Sequence, residues 1–261
     1  MRGELLLVYA FNRPGDRVET LERHIMVGLH FLHEIYIKKN FGKHLALRLR
    51  IPKNLAEKIL KITYALHDLG KAYNPYQQLI AKGKGAPGHE ALSAYIVLKH
   101  LNITSNMSSK TEEHLRRGIA IAIILHHHAM RGWVEALNKL CNVAKQHKTT
   151  MYFLNNEAER TLTSIYAKLD ITISCPKEIK VKNIVSTVLK EIQNIINKPL
   201  MNLNYRNPYK VTYTILHPLI TCDVLAASTA KYSCNTLKCL NRVEKEIPAY
   251  VKEYLKTLKI I

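Results

Sequence analysis

Residues 59–71 read ILKITYALHDLGK, an apolar helix that ends on two side chains foreign to a core. Apolar residues recur at helical spacing up to Leu66, so the segment predicts a helix packed over most of its circumference. Pro52 suits the first turn of such a helix and Gly70 a C-terminal stop, giving an expected span of 52–70. His67 and Asp68 then fall at its last turn. Adjacent helical residues point about 100° apart, yet both can grip one metal lying against the helix end. A carboxylate has two oxygens, so Asp68 can also bridge two metals. A His-Asp dipeptide by itself is common and supports little.

Outward from this segment, helical period dominates. Further helices are expected over 17–39, 74–82, 89–101, 111–129, 132–148, 151–168, 178–197, 209–232 and 242–258. Strand signal is scarce: only 4–10 reads as a short strand, with a pairing partner near 171–174. The fold class is therefore all-α, with a very short β element at the N-terminus. No repeat, low-complexity tract or linker divides the 261 residues, so they are read as one domain, 1–261, with a helical insertion over about 130–210. The segment 81–90, AKGKGAPGHE, is a basic loop by composition. It lacks the spacing of a phosphate-binding P-loop, so no nucleotide-driven motor is read here.

Charge narrows the partners. Lysine and arginine total 39 against 20 acidic residues, a formal net charge of +19. A small metabolite does not call for that surplus, whereas a polyanion is attracted by it. Nucleic acid is the expected partner. Five cysteines, an odd number with no C-x-x-C pair, suggest neither a disulfide framework nor a zinc ribbon. Reduced thiols in a cytoplasmic protein are expected. The apolar start is too short for a signal peptide or a membrane span before Arg13 and Asp16.

The chain has four aspartates, and two of them, Asp68 and Asp223, lie in strongly apolar helical segments. Asp223, in HPLITCDVLAAS, shares a helical face with Leu216, Leu219, Ile220, Ala226 and Ala227. Burying a lone carboxylate there is expensive, so it calls for a cation, a metal or a cage of donors. Of the thirteen histidines, several sit in comparable places. His24 falls on the apolar stripe with Leu21, Gly28 and Phe31, and Gly28 leaves room beside it. His30 and His33 fall off that stripe and read as exposed or structural. His89 opens a helix and is free to reach inward. His126, His127 and His128 close an apolar helix, where two can converge on one metal, imidazole being the commonest transition-metal ligand.

In order and helical placement this set resembles the HD superfamily of metal-dependent phosphohydrolases: His24, His67-Asp68, His89, His126-His127, Asp223. A closer resemblance is to the stand-alone HD nuclease subunit of type I CRISPR interference, carried by TLERH before the first ligand, HDLGK at 67–71, and LHHHA paired with the late DVLAAS. It spans about 24–230. The chain departs from the family pattern in having three successive histidines where the family has a pair; His126 and His127 are assigned to the pair.

The resemblance implies an HD-domain helical bundle with two divalent metals. One is held by His24, His67, Asp68 and Asp223, the other by Asp68, His89, His126 and His127. Two metals suit phosphodiester hydrolysis, where they supply a nucleophile at neutral pH and relieve charge on the phosphate. The nitrogen-rich ligand set favours manganese, with nickel, iron, cobalt, zinc or magnesium as alternatives. Asp68 and Lys71 are the expected catalytic residues, Lys71 adding a point charge to the phosphate. Lys71, Tyr73, Tyr76, Lys82, Lys84 and Arg131 are the expected nucleic-acid contacts, the tyrosines by stacking bases. The implied substrate is DNA, preferentially single-stranded, cleaved in antiviral defence together with a separate interference helicase and a CRISPR surveillance complex. The competing expectations are an HD-type nucleotide or cyclic-nucleotide phosphohydrolase, and a non-catalytic binding module.

Overall fold

In the computed structural model the helix that follows Pro52 is α3, Lys53–Leu66. The structure describes residues 7–13, 17–103, 107–127, 132–196, 208–230 and 247–257. The last turn of α3 is buried all round, Ile62 through Leu66 included, as its unbroken apolar run requires. It stops at Leu66, short of the expected Gly70. His67 is its cap, Asp68 leaves helical geometry at φ −101 and ψ 6, and Leu69–Ala72 form a 3₁₀ turn. Gly70 is not in the left-handed region that a helix-stopping glycine adopts; among the described glycines only Gly83 and Gly88 have positive φ. Its role is contact: a Cβ on Gly70 would lie 2.2 Å from the His89 carbonyl oxygen.

Before α3 come β1 (Tyr9–Arg13), β2 (Arg17–Thr20), α1 (Leu21–Leu32), a π turn at His33–Ile37, and α2 (Phe41–Leu49). After it come α4 (Tyr76–Ala81), α5 (His89–His100), β3 (Leu101–Asn102), α6 (Ser109–Leu125), α7 (Trp133–Gln146), β4 (Met151–Phe153), α8 (Asn156–Lys168), β5 (Thr172–Ile173), β6 (Glu178–Lys180) and α9 (Val181–Ile196). The last described helices are α10 (Pro208–Ala230) and α11 (Ala249–Thr257). The fold is thus helical, with three two-stranded ribbons among the described residues.

Several expected elements are redrawn. The single helix over 17–39 is a strand, a helix and a π turn. Thr20 divides the first two: its backbone is extended, and its hydroxyl accepts from the Arg23 N–H as an N-cap. The first strand lies at Tyr9–Arg13 and pairs with β2, not with 171–174. Thr172–Ile173 is a strand, but its partner is β3. Helix α2 was not expected; Asn40, with φ 62, turns the chain into it. The helix expected over 111–129 ends at Leu125, which leaves His126 and His127 in the turn beyond.

The core is built by α1, α3, α5, α6 and α10, with α10 lying against α1, α3 and α6. Glycine permits two of the close approaches. A Cβ on Gly118 of α6 would lie 2.4 Å from Val211 Cβ, and Thr212 of α10 donates to the Gly118 carbonyl. A Cβ on Gly28 of α1 would collide with the Tyr64 ring, so the space beside His24 is filled by that tyrosine. Lys210–Ala230 is apolar and long enough to cross a membrane by composition, but more than half of that stretch is buried in the core. The first turn of α1, the second half of α10, the ends of α3 and α6, and the start of α5 meet around one point.

Candidate metal centre

Each element brings one or two polar groups to that point. His24 comes from α1, His67 and Asp68 from the end of α3, His89 from the first turn of α5, His126 and His127 from the turn after α6, and Asp223 from α10. Their donor atoms form two groups. Those of His24, His67, Asp68 and Asp223 lie within 4.8 Å of one another, and so do those of His89, His126 and His127. Asp68 joins the groups. Its Oδ1 is 2.8 Å from His89 Nε2, while its Oδ2 is 3.5 Å from His24 Nε2 and 3.6 Å from His67 Nε2. Asp223 Oδ1 faces His24 Nε2 at 3.1 Å and His67 Nε2 at 3.3 Å.

The imidazoles are oriented from behind. Nδ1 of His67 donates to the Tyr64 carbonyl, Nδ1 of His89 to that of Ala86, and Nδ1 of His126 to that of Ile123. His24 Nδ1 faces Glu19 Oε2 at 3.1 Å, and Glu19 is itself buried. A ring whose Nδ1 donates keeps its Nε2 lone pair in the neutral form, and all four Nε2 atoms point inward. Carbonyl and carboxylate partners of this kind fix the tautomer of metal-binding histidines. His126 Nε2 is buried with no hydrogen-bond partner among the described residues. Nε2 lone pairs facing carboxylate oxygens would repel; protons or a cation between them relieve this. A divalent metal fits the donor set on these grounds.

Charge within the site divides along the same line. Burial works against a charged His24, but hydrogen bonds to Asp223 and Glu19 outweigh it and lift its pKa to about 9. Burial also opposes ionised Asp68, and Lys71 with His67 overcomes it, holding the carboxyl well below its usual range. Asp223 is depressed likewise, by its hydrogen bonds to His24 and His67 against the effect of burial. On the other side, burial and the neighbouring His67 push His126 down to about 4. Burial, with His126 and His89 close by, depresses His127 far below the ordinary histidine range. One half is an ion-paired cage, and in the other His126 and His127 are held in the neutral form that ligates a metal.

The centre opens on one side into a cleft of about 740 Å³, lined among others by Phe11, Arg13, Lys71, His89, His126 and Asp223. Lys71 is buried at this wall, its Nζ 2.6 Å from Asp68 Oδ2 and 4.3 Å from the centroid of the Phe11 ring. Tyr73 and Tyr76 are corrected: both are fully buried and lie away from the mouth. Tyr73 donates to the Pro176 carbonyl, while Tyr76 stacks on Tyr152 and donates to the Pro87 carbonyl. The interior takes them because β4 and the loop before α5 close over them, which their place after HDLGK does not reveal. Lys82 and Lys84 are exposed, as are His30 and His33. His128 and Arg131 lie outside the described residues. Sequence reasoning missed Glu19, Phe11 and Arg13. Only Glu19, five residues before His24, carried a signal in the form of a carboxylate beside an N-cap threonine.

The fold is that of an HD-type helical domain. The chain is similar to the solved structure of the CRISPR-associated Cas3 HD domain protein MJ0384 from Methanocaldococcus jannaschii, with a TM-score of 0.51, 19% identity, and coverage of 77% of this chain and 95% of that one. A second structure, described as a CRISPR-associated protein, overlaps with a TM-score of 0.40 and 13% identity over 86% of this chain and 27% of its own; that score is too low to argue from. No protein-family model and no curated protein matches the chain.

Proposed function

We propose that this chain is a metal-dependent phosphodiesterase that hydrolyses nucleic acid, preferentially single-stranded DNA, in CRISPR interference. The observation that carries the reading is Asp68. Its two oxygens face two separate donor groups, one of two histidines and an aspartate, the other of three histidines. That is the arrangement of a bridging carboxylate between two metal positions. Divalent transition metals there would supply a nucleophile at neutral pH and relieve charge at phosphorus. Imidazole-rich coordination favours manganese over magnesium or calcium, with nickel, iron, cobalt and zinc as alternatives.

In this reading His24, His67 and Asp223 complete the first position, and His89, His126 and His127 the second. Glu19 and the three backbone carbonyls hold the rings in register. Lys71 keeps Asp68 ionised and aims it, and its ammonium group at the cleft wall stands where a phosphate arrives. The net charge of +19 supports a polymer over a single nucleotide, and Lys82, Lys84 and Arg131 remain candidate phosphate contacts. The region 130–210 is read as an insertion on one HD domain. Likeness to a protein titled a Cas3 HD domain supports the biological setting, with a separate helicase subunit and a surveillance complex as partners.

The test incubates the protein with manganese and, separately, single-stranded DNA, duplex DNA, RNA and free nucleotides. Cleavage of single-stranded DNA ahead of the rest is expected. Hydrolysis of nucleotides without any polymer would turn the reading to a nucleotide phosphohydrolase. Asp68→Ala is expected to abolish hydrolysis and to lose manganese at both positions in equilibrium dialysis; a variant as active as the parent would refute the bridging role.

A further inference from the structure

The β1–β2 ribbon does more than start the chain. Strand β2 runs directly into α1, and its Glu19 holds His24. Phe11 is the partner of Glu19 in the register. Cross-strand partners share a face of the ribbon, as do residues two apart on one strand. Phe11, Glu19 and Arg13 therefore share the face turned to the metal centre. Phe11 meets the His24 ring edge-on at 5.7 Å and lies under Lys71 Nζ. Arg13, two residues further out, is exposed at the cleft wall.

The ribbon is a fixed ledge. Tyr9 N donates to Gln77 Oε1, and Gln77 Nε2 donates back to the Tyr9 carbonyl and to that of Lys71. On the opposite face Asn12 Nδ2 donates to the Ala81 carbonyl. Two cationic side chains, Arg13 and Lys71, line the cleft among the described residues, and Asp223 is its one carboxylate. Lys71 is already bound to Asp68. Arg13 makes no ion pair among the described residues, so its guanidinium is available to an arriving anion.

We infer that Arg13 is a substrate-binding residue that grips the phosphate next to the one cleaved. This rests on the phosphodiesterase reading above and deepens it. The scissile phosphate sits at the metal centre, and a strand leaving the cleft passes Arg13, whose planar fork matches the two oxygens of a phosphate. The residue thereby selects a polymer over a substrate with one phosphodiester. Phe11 sets the distance by fixing the ledge against His24 and Lys71.

The test compares Arg13→Ala and Arg13→Lys with the parent on a single-stranded oligonucleotide and on bis(p-nitrophenyl) phosphate, which has no flanking phosphate. Arg13→Ala should raise KM for the oligonucleotide about tenfold, the scale of one charge-assisted contact. It should leave kcat and the small substrate unchanged, with Arg13→Lys recovering part of the loss. A labelled oligonucleotide titrated by fluorescence anisotropy in EDTA isolates binding from chemistry. There Arg13→Ala should weaken Kd to a similar extent and flatten the log–log salt slope by roughly 0.7, one phosphate's worth on a single strand. Unchanged KM, Kd and salt slope would overturn the assignment, and so would equal loss on both substrates. Failure of the parent to hydrolyse either substrate would sink the phosphodiesterase reading, while the binding titration would still decide the role of Arg13.

Discussion

At the scale of single residues, the metal centre is defined by which groups are charged. Without metal, His24 lies between Glu19 and Asp223 and keeps its proton up to about pH 9. Its folded pKa therefore lies above the ordinary value of 6.5. The sign follows: the charged ring stabilises the fold fully below about pH 6.5, and that contribution is lost as pH rises through about 9. For a shift of this size the loss is on the order of 3 kcal/mol. Metal-free protein held in EDTA should thus melt at falling temperature between pH 7 and 9.5, and the His24 ring should titrate by NMR near 9. Titration of that ring below 7 would show that the carboxylates around it do not govern its charge. Asp68 and Asp223, both depressed, act in the opposite direction, and their contribution disappears only in acid.

At the scale of elements, the site depends on short approaches that no single element specifies. The HDLGK turn must lie on the first turn of α5 for Asp68 to reach His89. Gly70 N donates to Ser93 Oγ, and Asp68 Oδ1 faces His89 Nε2, so the two segments are tied on both sides of the turn, while Ser93 itself donates to the His89 carbonyl within α5. A Cβ at Gly70 would come within 2.2 Å of that same carbonyl, which is backbone and has little freedom to move. Gly70→Ala should destabilise the fold by about 1–3 kcal/mol, the usual scale of overpacking. It should also weaken manganese binding, because the shift separates Asp68 from His89. A denaturant melt and a metal titration check both, and a variant matching the parent in each would show that the turn and α5 can part without consequence.

These contacts also explain what was legible beforehand. The clustered His and Asp positions stood out because such side chains are costly in apolar helices, and that cost is a local property of the sequence. The existence of α3, α5, α6 and α10 followed from period alone. The ribbon did not, since β1 and β2 are too short to show alternation and the 17–39 segment carries helical spacing through the strand. Tyr73 and Tyr76 were misplaced for a related reason: burial by Tyr152, Pro87 and Pro176 comes from chain 11 to 103 residues away. Arg13 gained its meaning only once the ribbon had folded beside His24.

At the scale of the whole molecule, the surplus of positive charge is the feature the metal centre does not explain. The seven proposed ligands and one lysine would suffice for hydrolysis of a small phosphodiester, and a net charge of +19 is far more than they would require. Charge spread over the surface acts at long range and through counterion release, with an affinity that falls as salt rises. On single strands the logarithm of the binding constant falls by about 0.7 per contacted phosphate for each tenfold rise in salt. Arg13, Lys71, Lys82, Lys84 and Arg131 would make about four or five such contacts, predicting a slope near −3 for a single-stranded oligonucleotide. A nucleotide phosphohydrolase, holding one phosphate group, should show a slope no steeper than about −1 with its substrate. Anisotropy titrations in EDTA from 50 to 300 mM salt (roughly the range where screening changes most) separate the two. A shallow slope with the oligonucleotide would mean that the charge serves another surface, and the polymer reading of the cleft would fall with it.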